Sequence, residues 1–130
     1  MTAKPKPSAV VFAKDVARVT KFYEEVLSMK VVLADESHIV LDTETFQLVV
    51  HSIPNDIAES FEVTSPTQIR EDMAVKLCLP VSSIAAARSR AHALGGMVKP
   101  EANEWQARSF RACDGYDPEG NVIQLRESVA

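Results

Sequence analysis

The sequence is poor in the residues that mark the more specialised protein classes. Its 130 residues include only two cysteines, four glycines and one tryptophan, and aromatic residues make up 6%. Two cysteines are too few for a disulfide framework, and neither Cys78 nor Cys113 stands close to another cysteine or histidine in a zinc or redox pattern. We expect both to be buried, reduced thiols.

A strong charge of one sign is missing as well. The net charge is only -4, and acidic and basic residues are interspersed along the chain. Such a surface lacks the basic patch that binds phosphate backbones or anionic membranes. No apolar run has the length of a signal peptide or a membrane span. We therefore expect a cytoplasmic protein with no nucleic-acid and no membrane partner.

What the chain does contain is 46% apolar residues, enough for the core of a single domain over residues 1–130. The first half alternates strand and helix patterns. A β-branched run over 8–13 predicts a strand, and Asp15 caps a predicted helix over 16–28 that carries one apolar stripe. Strands are predicted over 29–34, 37–41 and 46–52, with a hairpin at 42–45.

The second half repeats this order after a linker over about 53–72, which has room for one edge strand around 61–63. A strand over 75–81 leads into a helix capped by Ser82 or Ser83 and ended by Gly95 and Gly96. Strands near 97–99, 109–114 and 122–126 follow, the last after a turn at 117–121. The sequence thus predicts an α+β fold. Two paired βαβββ modules, about 8–52 and 73–128, form a curved, cup-like mixed sheet with helices on its outer face and a ligand site inside.

Two stretches carry a family resemblance. The helix headed by Asp15 ends Phe-Tyr-Glu-Glu-Val-Leu-Ser-Met, and residues 117–125 read Asp-Pro-Glu-Gly-Asn-Val-Ile-Gln-Leu. With the repeated modules, these resemble the vicinal oxygen chelate superfamily of glyoxalases, bleomycin resistance proteins and extradiol dioxygenases over nearly the whole chain. Ser28 departs from the pattern, because the family usually has glycine there. The resemblance implies a homodimer.

In metal-using members of that superfamily, each module supplies two metal ligands. The resemblance places the corresponding positions at Ser8, Gln47, Lys76 and Gln124, with Ser8 and Lys76 at matching repeat positions. An alcohol, two amides and an ammonium are a poor donor set for a catalytic divalent ion. An ammonium about 4 Å from a dication would be repelled by about 8 kcal/mol at an effective dielectric near 20. We therefore expect no metal cofactor, with a divalent metal as the alternative.

That alternative has one other source of ligands. A tight hairpin at Thr43 and Glu44 would set His38 opposite Val49 and place His38, Gln47 and His51 on one face of the sheet. Two imidazoles and an amide there would suit a metal or orient a ligand. The competing interpretation is that both histidines are strand-end residues close to water.

Other candidates for ligand binding lie in the second module. Lys76 at a strand start and Arg126, which alternation places on the same face as Gln124, would suit a carboxylate or phosphate on the ligand. A lysine at this position is equally compatible with a solvent-exposed side chain. Trp105 lies in a polar stretch between two predicted strands, where it either closes over a ligand or packs against a second subunit.

Three functions remain open on this basis. The first is a metal-free, bleomycin-resistance-like protein that binds a small organic molecule in the cup, whose neutral or basic walls do not suit bleomycin itself. The second is a metal-dependent lyase, isomerase or dioxygenase that uses a non-standard ligand set. The third is a structural or regulatory protein whose cup is filled by its own side chains.

Overall fold

Strands and helices follow one another in the predicted α+β order. The computed structural model describes residues 4–59, 62 and 67–129. The first module comprises β1 (Ser8–Ala13), α1 (Val16–Val26), β2 (Lys30–Ala34), β3 (His38–Asp42) and β4 (Gln47–Ser52), and the short helix α2 (Asn55–Ala58) follows it. The second comprises β5 (Leu77–Pro80), α3 (Ile84–Ala93), β6 (Met97–Val98), β7 (Trp105–Ala107), β8 (Phe110–Tyr116) and β9 (Val122–Ser128).

The two modules have the same strand order. The first sheet runs β1-β4-β3-β2, and the second runs β5-β9-β8-β6 with β7 paired to β8. In each, the first strand lies parallel to the last, as β1 to β4 and β5 to β9. Each module keeps its own hydrogen-bonded sheet, and the first strands β1 and β5 border the space between the two.

The helices hold the modules together. The Asp15 side chain accepts a hydrogen bond from the Arg18 amide at 3.0 Å, which caps α1, and α1 buries one face that includes Phe22 and Tyr23. Helices α1 and α3 contact each other. The buried apolar residues of both modules form one cluster, so the chain has a shared core.

Helix α1 ends at Val26, two residues before the predicted end, and α3 ends at Ala93 just before Gly95 and Gly96. Ser28, which follows α1, has a φ of 52°, in the left-handed region where glycine is the usual residue. This is the position at which the sequence departs from the family. Gly95 has a φ of 90° after α3, which confirms the predicted C-terminal cap.

Some details differ from the prediction. Trp105 lies in β7 rather than in a connection, because Trp105–Ala107 pairs with Phe110–Ala112 across a two-residue turn. Cys113 is buried as expected, but Cys78 is exposed, and both thiols are free. The linker contains α2, and the possible edge strand at 61–63 lies outside the described residues apart from Glu62.

Candidate functional site

One face of each sheet carries the helices, and we call the other its open face. Strand alternation decides which side chains lie there. The open face of the first sheet carries Ser8, Val10, Phe12, His38, Val40, Asp42, Gln47, Val49 and His51. The open face of the second sheet carries Lys76, Cys78, Trp105, Phe110, Ala112, Asp114, Val122, Gln124 and Arg126. The seven candidate residues predicted from the sequence for ligand binding are all among these.

The first open face has a polar cluster at one end. Lys6 Nζ lies 2.9 and 3.1 Å from the two carboxylate oxygens of Asp42, and Gln47 Nε2 donates to Asp42 Oδ1 at 3.1 Å. Hydrogen bonds from Lys6 and then Gln47 lower the pKa of Asp42 below its usual value. The amide of Gln47 is thus held by a carboxylate that sequence reasoning missed.

The second open face repeats this cluster. Lys76 Nζ lies 3.3 and 3.2 Å from the two carboxylate oxygens of Asp114, and Gln124 Nε2 donates to Asp114 Oδ1 at 3.2 Å. In both modules the aspartate and the glutamine face each other across an antiparallel strand pair. We call the two sets, Lys6, Asp42 and Gln47 and Lys76, Asp114 and Gln124, the Lys-Asp-Gln triads.

The triads correct the expected repeat. Ser8 lies directly across from Gln47, but Cys78 rather than Lys76 lies across from Gln124. By strand register, the equivalent of Ser8 is therefore Cys78. The equivalent of Lys76 is Lys6, since each lysine comes two residues earlier. The sequence signal for this equivalence is a lysine two residues before Ser8 and another two residues before Cys78.

The two histidines form an aromatic cluster at the other end of the first open face. His38 lies opposite His51, not Val49, because the hairpin loop is four residues long instead of two. The shift of two residues keeps His38 on the predicted face. The imidazoles stack with centroids 5.6 Å apart and an interplanar angle of 16°, and the Phe12 ring lies 5.8 Å from that of His51.

Gln47 does not join the histidines. It lies four residues before His51 on the same strand, or about 13 Å away along the strand, and its amide is bound to Asp42. His51 Nδ1 lies 2.8 Å from the Ser52 carbonyl oxygen, and His38 Nδ1 lies 3.0 Å from Asp35 Oδ1. The geometry therefore does not favour a metal ion shared by the three. Across the described residues, no cluster of three or more histidine, cysteine or acidic side chains is placed to hold a metal.

Arg126 and Trp105 lie on the same open face. Arg126 Nε donates to Gln124 Oε1 at 2.8 Å, and its guanidinium carbon lies 4.4 Å from the centre of the Phe110 ring. Ala112 faces Arg126 on one side and Trp105 on the other, so the three residues form a row across β7, β8 and β9. Phe110 was not predicted as a site residue, because its contact with Arg126 depends on strand register.

A groove of about 390 Å³ separates the modules between β1 and the β5–β9 pair. Most of its lining is apolar, with contributions from both halves of the chain: Val10, Phe12, Met73, Val75, Leu77 and Val122. Val10, Phe12 and Val75 are 50%, 58% and 67% exposed, which is high for large apolar side chains. All three side chains line this groove.

Tyr23 also lines the groove and links the modules beneath it. Its hydroxyl donates to Asp117 Oδ2 at 2.8 Å, and Asp117 also accepts hydrogen bonds from the backbone amides of Glu119 and Asn121. Burial raises the pKa of Tyr23 well above its usual value and also raises the pKa of Asp117, against the effect of its hydrogen bonds.

Comparison with known proteins identifies the fold family. A family profile described as "Glyoxalase-like domain" matches residues 8–126. The chain belongs to this family. A comparison with curated proteins found no match.

Solved structures of low identity share this glyoxalase-like fold. A glyoxalase/bleomycin resistance protein/dioxygenase family enzyme from Burkholderia phytofirmans PsJN matches with a TM-score of 0.68 at 16% identity, covering 94% of this chain and 97% of that one. An integron cassette protein from V. cholerae matches with a TM-score of 0.62 at 20% identity, covering 98% and 97%. The fosfomycin resistance protein FosX from Mesorhizobium loti matches with a TM-score of 0.65 at 14% identity, covering 99% and 95%.

A metal ion of the kind used elsewhere in this superfamily does not fit the donors of this glyoxalase-like domain. By register the fourth position is Cys78, whose thiol belongs to no cluster of three or more histidine, cysteine or acidic side chains in the described residues. Ser8, Gln47 and Gln124 are neutral, and both amides already donate to aspartates. Each of those aspartates is ion-paired with a lysine. A divalent ion would have to displace two ammonium groups or sit beside them, and both arrangements are unfavourable. Within the described part of the chain, no helix is long and apolar enough to cross a membrane.

Proposed function

We propose that this glyoxalase-like domain binds a small organic molecule in the groove between its modules and on the adjoining open faces, without a catalytic metal. The observation that carries the proposal is the apolar groove itself. It brings β1 of one module next to β5 and β9 of the other, and it leaves large apolar side chains exposed. Its volume is within the usual range for small-molecule pockets.

The chemistry of the surrounding polar groups supports the metal-free form of the proposal. In each Lys-Asp-Gln triad an ammonium group already neutralises the carboxylate. The lysine ammonium groups thus neutralise the aspartates here, as a metal ion would neutralise its anionic ligands in a metal-using relative. A ligand would then be held by apolar contacts in the groove and by hydrogen bonds at its margin.

A neutral fluorescent dye tests the groove. N-phenyl-1-naphthylamine, which fluoresces in apolar pockets, should bind to the wild-type protein. Val75→Glu should weaken binding at least about tenfold, because it places a charge on the groove wall. Val32→Glu is the matched control, since Val32 is also exposed but does not line the groove. Equal binding by both variants would contradict the proposed site.

Metal analysis tests whether the protein is free of a bound metal ion. Protein purified without chelator should contain well below one equivalent of zinc, nickel, iron or manganese per chain. A full equivalent that survives dialysis and is lost in His51→Ala would contradict the metal-free proposal. It would favour the alternative of a metal-dependent enzyme.

A further inference from the structure

Three of the cations already described differ in what neutralises them. Lys6 lies 2.9 Å from a carboxylate oxygen of Asp42, and Lys76 lies 3.2 Å from one of Asp114. Arg126 is held by neutral groups instead, the carbonyl oxygen of the Gln124 amide and the ring of Phe110. Within residues 4–59, 62 and 67–129, Arg126 makes no ion pair at 4 Å or less.

The same contacts fix the orientation of Arg126. Gln124 Oε1 accepts only the Nε hydrogen, and the guanidinium carbon lies over the Phe110 ring. The four hydrogens on the two terminal nitrogens, which form bidentate bonds to carboxylates and phosphates, are left out of both contacts. Gln124 is itself buried and fixed by Asp114, so little side-chain entropy remains to be lost when a ligand binds.

A second arginine adds to the positive potential. The guanidinium carbon of Arg108, in the turn between β7 and β8, lies 5.0 Å from the centre of the same Phe110 ring. The two guanidinium carbons are therefore within about 10 Å of each other, close to the Debye length at moderate ionic strength, so their potentials add. The described residues place no carboxylate in an ion pair with either one. Arg111, by contrast, is paired with Glu104 at 3.0 Å.

We propose that Arg126 and Arg108, positioned around Phe110, form an anion-binding site on the second open face that takes the carboxylate or phosphate group of a small organic ligand. The inference rests on the proposed function and assigns the ligand a charge. It also assigns anion recognition to Arg126 rather than to Lys76, whose charge Asp114 neutralises. A polyanion is a poor fit, because the chain as a whole has a net charge of -4.

Trp105 provides a local signal for the test. It is the only tryptophan in the sequence, and it lies two strands from Arg126 in the same row, about 10 Å away between Cα atoms. The probes are benzoate, its neutral match benzamide, and inorganic phosphate. Binding is followed by calorimetry and by the NMR signal of the Trp105 indole N–H.

The wild-type protein should bind benzoate more tightly than benzamide, and benzoate and phosphate should both shift the Trp105 signal. Arg126→Gln should weaken benzoate binding at least about tenfold through the loss of a bidentate charged contact. Arg108→Gln should weaken it about threefold, and Arg126→Lys should fall between the wild type and Arg126→Gln. The matched control, Arg111→Gln on the opposite face of the sheet, removes a cation that already has a carboxylate partner, and it should change the affinity less than about twofold.

Equal affinity for benzoate and benzamide, or an Arg126→Gln variant that folds and binds benzoate as the wild type does, would overturn the inference. So would a loss in Arg111→Gln as large as that in Arg126→Gln. Failure of the proposed function would look different. N-phenyl-1-naphthylamine would not bind in the groove, while phosphate would still shift the Trp105 signal in the wild type and not in Arg126→Gln.

Discussion

The two modules carry the same Lys-Asp-Gln triad, but the chemistry beyond it differs. Two residues after the triad glutamine, the first module has Val49 and the second has Arg126. Two residues further, the first has the His51 and His38 pair, and the second has Ser128 opposite Phe110. The first open face is thus mostly uncharged and aromatic beyond its triad, and the second is cationic.

This difference separates the part of the repeat that maintains the fold from the part that has diverged. The helix-facing positions in the core are apolar in both modules, since they must cover a helix and join the shared core. The open-face positions are not needed for that core. Beyond the triads, several of these positions differ between the two halves, as expected if they contact a ligand.

The core positions give the largest expected effect and test whether the modules are equivalent. Leu48 and Leu125 each follow the triad glutamine and are fully buried. Leu48→Ala and Leu125→Ala should each lower the free energy of unfolding by about 2–5 kcal/mol. Val32→Ala, at a half-exposed position, should cost much less. Urea denaturation measures all three. A separate, early transition in only one of the leucine variants would show that the modules do not share one core.

The next effect concerns the buried link between the modules. Tyr23→Phe removes the 2.8 Å hydrogen bond to Asp117 and should destabilise the protein by about 1–3 kcal/mol. Tyr116→Phe is the matched control, because the Tyr116 hydroxyl makes no hydrogen bond within the described residues, and its cost should be smaller. An equal cost for both variants would contradict a specific role for the Tyr23 hydroxyl.

The Tyr23→Phe effect should also depend on pH. The pKa of Asp117 is raised in the folded state. The contribution of Asp117 to folding stability is therefore fully present below the unfolded pKa near 3.8 and is lost as pH rises through the folded pKa. Removing the Tyr23 donor raises that pKa further, because the hydrogen bond favours the charged form. The stability difference between variant and wild type should therefore shrink as pH falls through this range. A constant difference would contradict the assignment.

The fold was predictable because its signals are local. Strand β1 spans Ser8–Ala13 as its β-branched run indicates, and α1 begins at Val16 directly after the predicted cap Asp15. Gly95 follows α3 in the left-handed conformation that a C-terminal cap requires. None of these depends on which strand pairs with which.

The site was less predictable because it depends on pairing. Alternation along one strand places Gln47 and His51 on the same face, but the hairpin loop length decides whether His38 joins them and that Asp42 rather than Val40 meets Gln47. The contact between Asp114 and Gln124 and that between Arg126 and Phe110 depend on register in the same way. The proposed ligand-binding roles of these residues stay predictions.

The smallest expected effect concerns the turn between β2 and β3. Asp35 Oδ1 accepts hydrogen bonds from the Ser37 amide at 2.8 Å and the His38 amide at 3.0 Å, just before β3 begins. These bonds, with the Ser37 amide contributing most, lower the pKa of Asp35 from 3.8 to about 2. Its stabilising contribution is therefore present above pH 3.8 and is lost as pH falls toward 2.

An NMR titration of the Asp35 carboxyl group measures this pKa directly. Ser37→Ala removes only the hydroxyl donor and leaves both backbone donors in place, so the pKa should stay below 3.8 in that variant. A titration near 3.8 in the wild type would mean that the turn is not held by its backbone amides.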